Sequence, residues 1–465
     1  MPKHYDVFVI GGGPAGQHLA NRCKSAGLSV GITECRGYGG TCGLRGCDPK
    51  RVMVGVTETV DMTYRLEELG VCGHASVNWS DLTDFVATFV DDKPARALAV
   101  LREAGIDAYT GQARFTGPRA VRVEGRADYD DAEGPETVDV TADHIVVATG
   151  QRPRPLDIPG AEHLKTSDDF HLLPALPPRI LFAGGGYIAL ESAHIARRCG
   201  AEITIVNDDD NPLAVFDDDL AARLVELTGD LGIDFVMNTR VTGVEALDGG
   251  GFRVSAETDG GEERSYEVDL VLNTSGRVAN FAGLDLDAAG IEASGAGIPV
   301  DEHFRTRANA HVYAIGDCAD GGGPPLTPVA NHDADTLATT LTTGEPATPD
   351  YDGLPTAVYT LPELAMVGLT EREARERDLD VEVTVDLDHD EAYHARRVNA
   401  RAYAHKTLVD RATGKIVGAH LLGPRASEVI NLFALAMRTG IPASELHEVL
   451  WAYPTWGGDV GKMIP

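Results

Sequence analysis

Val7-Phe8-Val9-Ile10-Gly11-Gly12-Gly13-Pro14-Ala15-Gly16 is a short β-branched apolar run that passes directly into glycines. Gly11, Gly13 and Gly16 stand in a G-x-G-x-x-G pattern between a predicted strand and a predicted helix. That spacing permits a tight turn and lets the backbone approach a pyrophosphate at the helix N-terminus. The next strand, predicted over residues 28–33, ends at Glu34, whose carboxylate can accept hydrogen bonds from both hydroxyls of an adenosine ribose. A G-x-G-x-x-G alone is weak; the strand before it and the acid after it specify a dinucleotide.

Apolar runs at 145–147, 180–182 and 203–206 repeat the pattern, alternating with helical stretches. Continuous apolar strands of this kind predict parallel sheets covered on both faces. The run at 180–182 also enters glycines, about 170 residues after the first, which predicts a second nucleotide-binding unit. Residues 341–356, rich in Thr, Pro and Gly, read as a linker. Beyond it, residues 402–410 and 415–422 read as antiparallel strands joined by Arg411-Ala412-Thr413-Gly414. A helix follows at 426–439 with Val429, Ile430, Phe433, Ala436 and Met437 on one face.

The 465 residues are 43% hydrophobic and 24% charged, with a formal charge of −32. Nucleic acid and anionic membrane surfaces are not expected partners, because Lys and Arg supply that affinity. The acidic runs 208–210, 217–219 and 386–391 read as solvated surface, a balance that suits a salt-rich habitat. No run reaches the about 18 apolar residues of a membrane span. The N-terminus enters its first strand without a leader pattern, so a cytoplasmic location is expected. Of the cysteines at 23, 35, 42, 47, 72, 199 and 318, only Cys42 and Cys47 lie close together in a glycine-rich setting. Those at 23, 72, 199 and 318 read as small buried hydrophobes. Two cysteines without a second Cys/His cluster make a poor zinc site, and no metal is expected; a redox pair fits a cytosolic setting. Residues five apart in a regular helix rise about 7.5 Å, too far for a disulfide, so the segment must bend.

Gly39-Gly40-Thr41-Cys42-Gly43-Leu44-Arg45-Gly46-Cys47-Asp48-Pro49-Lys50 resembles the signature of the flavoprotein disulfide reductases, the group of glutathione reductase, dihydrolipoamide dehydrogenase and mercuric reductase. The resemblance extends over nearly the whole chain. It takes in Ala148-Thr149-Gly150, Gly184-Gly185-Gly186-Tyr187-Ile188-Ala189-Leu190-Glu191, Ser275-Gly276-Arg277, Tyr313-Ala314-Ile315-Gly316-Asp317 and Leu326-Thr327-Pro328-Val329-Ala330. It implies an α/β fold: two Rossmann-like domains, for FAD and NAD(P), and a C-terminal α+β dimerisation domain. The implied bounds are 1–150 and 278–345 for FAD, 151–277 for NAD(P) and 346–465 for dimerisation.

The resemblance further implies that electrons pass from NAD(P)H through FAD to a Cys42–Cys47 disulfide in a homodimer. Cys47 would be the thiolate next to the flavin and Cys42 the thiol that attacks the substrate. Lys50 and Glu191 would pair beside the flavin, and Asp317 would hold the ribityl chain. The Ala330 amide would face the flavin's pyrimidine oxygen. Gly11, Gly13, Gly16, Glu34, Gly40, Thr41, Lys50, Ala113, Thr149, Gly150, Gly316, Asp317 and Ala330 are the expected FAD-side contacts. Gly184, Gly186, Ala189 and Asn207, with Gly276 and Arg277 at the turn near this second cofactor, are the expected nicotinamide-nucleotide contacts.

The family's usual His-Pro-Thr-x-x-Glu is replaced by Tyr453-Pro454-Thr455-Trp456-Gly457-Gly458-Asp459. A phenol, with an unperturbed pKa near 10, can protonate a leaving thiolate but is a poor base at neutral pH. Tyr453 as the acid, His447 reaching the site, or a substrate needing no acid–base group are the open alternatives. Asp208, Asp209 and Asp210 follow Asn207, with no Arg between Arg198 and Arg223, which leans toward NADH. The expected activity is reduction of a small disulfide of glutathione, bis-γ-glutamylcystine or lipoamide type. The alternative is a mercuric-reductase-like, diaphorase or transhydrogenase flavoenzyme. Against it stand the retained Cys42 and the lack of any cysteine after Cys318.

Overall fold

The computed structural model describes residues 2–125, 137–388 and 391–465. Two compact units are present: Met1–Lys50 with Asp84–Arg154 and Gly276–Tyr351, and Arg51–Thr83 with Pro155–Ser275 and Asp352–Pro465.

In the first unit the strand Lys3–Ile10 lies between Val30–Glu34 and Thr137–Val147, parallel to both. Asp107–Gly117 adds a parallel strand beyond Val30–Glu34, and Val312–Ala314 adds one beyond Thr137–Val147. Side chains alternate across this sheet. Val7 and Val9 pack with Leu19 and Cys23 of the Pro14–Ser25 helix, Leu101 of Lys93–Glu103 and Leu337 of Thr327–Thr343. Phe8 and Ile10 pack on the other face with Phe115, Val121, Ile145 and Val147. Helices therefore cover one face, whereas an antiparallel ladder covers the other. Ala120–Gly125 pairs antiparallel with both Asp107–Gly117 and Thr137–Val147, so the all-parallel expectation holds only for the central strands.

In the second unit Ile233–Val236, Glu202–Val206, Arg179–Ala183, Leu270–Asn273 and Lys165–Thr166 form a parallel sheet in that order. Thr239–Ala246, Phe252–Thr258 and Glu263–Val268 form a separate antiparallel sheet that the reading of the sequence had not separated out. The expected hairpin near the C-terminus is present as Ala404–Asp410 and Ile416–Gly423. It is the centre of an antiparallel five-stranded sheet with Pro355–Val358, Glu363–Gly368 and Val381–Asp386. The Ala426–Thr439 helix buries Val429, Ile430, Phe433 and Ala436 in the same core as Val367, Ala419 and Leu421. Among the described residues, no helix is long and apolar enough to cross a membrane.

Three readings need correction. The segment 341–356 is not all linker: the Thr327–Thr343 helix continues to its Gly344 cap, and Pro355–Val358 is a strand. The run 217–219 is not all solvated. Asp217 is buried, and with Asp219 and Glu371 it surrounds the buried Lys406, whose Nζ is 3.0 Å from Asp217 and from Glu371. Cys23 and Cys318 are buried as expected, but Cys72 is exposed and Cys199 half-buried. Asp208 to Asp210 are exposed; of the run 386–391, residues 389 and 390 lie outside the described residues.

Candidate active site

The required bend falls at Gly46. A short helix, Gly40–Arg45, stops there, and a long one, Cys47–Arg65, starts at the second cysteine. Gly46 adopts φ −128°, ψ −104°, and a Cβ on it would lie 3.1 Å from the Thr41 carbonyl oxygen. Two helical pieces thus replace one regular helix, and Cys42 and Cys47, here free thiols, come within hydrogen-bonding reach. That hydrogen bond, burial and the neighbouring Cys47 charge hold the Cys42 thiol well above its usual pKa, while a hydrogen bond with Thr327 pulls the other way. Thr327 sits at the start of the Thr327–Thr343 helix, whose first turn has no side-chain cap. Lys50 is half-buried one turn along the Cys47–Arg65 helix, its amide donating to the Gly46 carbonyl at 3.2 Å.

Around the first glycine turn, Gly11 has φ +117°, and a Cβ there would come within 2.3 Å of the Ala148 carbonyl oxygen. Glu34 holds the turn: its Oε2 accepts the Gly12 amide at 2.7 Å and its Oε1 the Arg36 amide at 2.7 Å. Gly13 caps the Pro14–Ser25 helix without any side-chain hydrogen bond, leaving that N-terminus to an outside anion. Gly40 approaches the same turn closely, since a Cβ on it would be 2.6 Å from the Gly13 Cα. The main chain of Thr149 and Gly150 is held by Asn280, whose amide donates to the Gly150 carbonyl at 2.8 Å. Arg277 donates to the Gln151 carbonyl at 2.8 Å, and the Gly276 carbonyl accepts the Arg154 amide at 3.0 Å.

Gly316 and Asp317 form a short turn that Asp333 fastens by accepting the Gly316 amide at 3.2 Å. Asp333 is itself held by the Tyr351 hydroxyl at 2.7 Å. Burial raises the Asp317 pKa, opposed by the Arg277 charge. The uncapped helix start, the carboxylate at a strand end and a half-buried acid on a glycine turn fit a dinucleotide with a polyhydroxyl chain. Ala113 buries its side chain in the core, so only its main chain is left for a cofactor. The Ala330 amide does not do what was expected of it: it donates to the Leu326 carbonyl at 2.9 Å, closing the helix's first turn. The helix-start amides that precede this bond belong to Thr327 and Val329.

In the second unit, Gly184 has φ +104°, and a Cβ there would be 2.6 Å from the Ser275 amide nitrogen. Asn207 follows the Glu202–Val206 strand, and its Oδ1 accepts the Gly185 amide at 2.8 Å. Its Nδ2 donates to the Asp209 Oδ1 at 2.9 Å. Gly186 starts the Tyr187–Arg198 helix without a side-chain cap, and Ala189 is fully buried on that helix. This too fits a dinucleotide phosphate at a helix N-terminus. Glu191 is buried on the same helix, and one of its carboxylate oxygens accepts the Tyr359 amide at 2.8 Å.

Residues 5–334 match the family described as pyridine nucleotide-disulphide oxidoreductase, and residues 354–464 match the dimerisation domain of the same family. The chain belongs to the pyridine nucleotide-disulphide oxidoreductases. It is 30% identical over 455 residues to the dihydrolipoyl dehydrogenase of Haloferax volcanii, covering 97% of this chain and 93% of that protein. It is 32% identical over 467 residues to the glutathione reductase of Burkholderia cepacia, covering 98% and 97%. A glutathione reductase from Nostoc is 30% identical over 468 residues, covering 98% of each chain. As a pyridine nucleotide-disulphide oxidoreductase the protein is an oxidoreductase of sulfur groups, with FAD and NAD(P)H as cofactors.

Within this family the C-terminal segment carries the main departure. Tyr453 is 79% exposed. Asp459, one residue beyond the position of the usual glutamate, turns inward instead. It accepts the Tyr403 hydroxyl at 3.0 Å, pairs with Lys462 at 2.9 Å and lies 3.6 Å from His394 Nε2. It anchors the short helix Trp456–Lys462 and is unavailable to orient Tyr453. His447 is tied down as well, with Nε2 2.8 Å from the Pro465 carbonyl oxygen. Reading the sequence missed Thr327 as a partner of Cys42 and Asp333 as the fastener of the Gly316 turn. Thr327 stood inside a quoted motif; Asp333 carried no signal beyond being an acid on an apolar helix face.

Proposed function

We propose that the protein is a homodimeric, cytoplasmic NAD(P)H-dependent reductase of a small-molecule disulfide, working through Cys42 and Cys47. The supporting observation is the break at Gly46, which turns a five-residue spacing into a thiol pair within hydrogen-bonding reach. When bound, FAD and NAD(P)H supply the two electrons that keep this pair reduced.

The exchange then follows from thiol chemistry. Cys42, as thiolate, attacks one sulfur of the substrate disulfide, forming a mixed disulfide and expelling the other half as a thiolate, which takes up a proton. Cys47 attacks the Cys42 sulfur, forming the Cys42–Cys47 disulfide and releasing the second half as a thiol. Thr327 holds the Cys42 sulfur. Tyr453 of the partner subunit donates the proton to the departing thiolate, since the exposed segment around it would cover the Cys42 site of the other chain. Lys50 and Glu191 act as a pair in this reading, on the strength of their motifs. Gly11, Gly13, Gly16, Glu34, Gly316 and Asp317 bind FAD; Gly184, Gly186 and Asn207 bind the nicotinamide nucleotide. The carboxylates of Asp208 to Asp210 disfavour a 2′-phosphate, so NADH is the preferred donor. The substrate is of glutathione, bis-γ-glutamylcystine or lipoamide type, in keeping with relatives named glutathione reductase and dihydrolipoyl dehydrogenase.

Cys42→Ser is expected to abolish disulfide turnover while NADH oxidation by artificial acceptors continues. Survival of disulfide reduction in that variant would sink the mechanism. Tyr453→Phe should lower disulfide turnover by about 10²-fold, the lower end of what a general acid contributes, with the artificial-acceptor rate unchanged.

A further inference from the structure

Asp48 sets a carboxylate directly after Cys47, in the first turn of the Cys47–Arg65 helix. The position favours the helix dipole, but it puts a negative charge beside a group that must itself become negative. That charge is among the influences raising the Cys42 pKa. Lys93, at the start of the Lys93–Glu103 helix, reaches across this region. Its Nζ is paired with the Asp48 carboxylate, and its Cδ lies 3.3 Å from where a Cβ on Gly43 would be. The side chain therefore runs from the neighbour of one cysteine to the neighbour of the other, and it arrives from 45 residues away in sequence.

We propose that Lys93 is a positioning residue for the dithiol: by holding the Asp48 carboxylate it keeps that charge from opposing thiolate formation at Cys42. This rests on the disulfide-reductase reading and adds to it a device that no cysteine motif contains. The groups bearing on Cys42 are Cys47 and Asp48 on one helix and Thr327 on a second; Lys93, on a third, meets Asp48. Arg45 and Lys50, on adjoining turns, are common to every variant compared. The pair is partly exposed, with side-chain exposures of 28% and 46%, so its removal should leave the fold intact.

The test uses FAD-loaded enzyme reduced anaerobically with one equivalent of NADH, then treated with iodoacetamide across a pH series. Alkylated Cys42 is located by peptide mass spectrometry, and melting curves confirm folding. Lys93→Met should slow Cys42 alkylation below its midpoint and move the midpoint up. Asp48→Asn should do the reverse, each by on the order of threefold in rate, and the double variant should return close to the wild type. Midpoints that stay put in both single variants, or that move the same way, would overturn the proposal. So would a Lys93→Met effect confined to the KM for the disulfide. A wild type whose Cys42 is never labelled in an NADH-dependent way would overturn the disulfide-reductase reading itself, and this inference with it.

Discussion

The chain builds the same strand–glycine–helix turn twice, at Gly11–Gly16 and at Gly184–Ala189, and the two differ at two places. In both, a residue at the end of the following strand or directly after it accepts the amide of the middle glycine, Glu34 from Gly12 at 2.7 Å and Asn207 from Gly185 at 2.8 Å. The turn therefore needs only an acceptor there; the carboxylate of Glu34 is extra, and its charge suits ribose hydroxyls. Asn207 spends its donor on Asp209, so the negative charge of the second site lies in the exposed residues beyond it. The last small residue differs as well. A Cβ on Gly16 would lie 1.9 Å from the Gly11 carbonyl oxygen, whereas the second turn accommodates the methyl of Ala189 in full burial. The first helix is thus drawn closer to its turn than the second.

Substitutions can break this comparison or sharpen it. The largest effect is expected from Gly16→Ala, where the methyl meets backbone that cannot move aside; a loss of about 3 kcal/mol is predicted from overpacking, with weakened flavin retention, read by melting and by bound-flavin absorbance. Glu34→Gln keeps the Gly12 hydrogen bond but removes the charge, and should weaken FAD binding by about 2 kcal/mol, the scale of a hydrogen bond to a charged group; titrating apoprotein with FAD checks it. Asp208→Arg should shift the ratio of kcat/KM for NADPH over NADH upward by about tenfold, because a guanidinium welcomes the 2′-phosphate that a carboxylate repels. Ala189→Gly should cost only about 1 kcal/mol, the helix-propensity difference. Equal penalties at positions 16 and 189 would contradict the claim that the two turns are packed differently.

The parts legible in the sequence were those where backbone geometry admits few residues. Gly11 and Gly184 require positive φ with no room for a side chain, and the apolar strands beside them have no polar alternative. The C-terminal hairpin was legible from the turn Arg411-Ala412-Thr413-Gly414 between two strand-like runs, and the Ala426–Thr439 helix from the helical spacing of Val429, Ile430, Phe433 and Ala436. What escaped were pairings between residues remote in sequence. Asp217 reads as one more surface acid until Lys406, 189 residues on, is seen to bury it. Asp333 and Gly316 meet only through the fold. The Ala330 amide was misread because the helix begins at Thr327, three residues earlier than that role requires. The threonine-rich stretch before Gly344 looked like a linker because Thr is a poor helix former, yet packing on Leu337 and Ala338 carries the helix through it.

The most direct test of the account is an anaerobic titration of the purified protein with NADH in concentrated KCl, following the visible spectrum. The account predicts a long-wavelength absorption band at one equivalent of NADH, reporting a Cys47 thiolate beside oxidised flavin, and its loss in Cys47→Ser. Bleaching of the flavin absorbance at one equivalent, with no such band, would contradict it and leave the cysteine pair outside the path of the electrons.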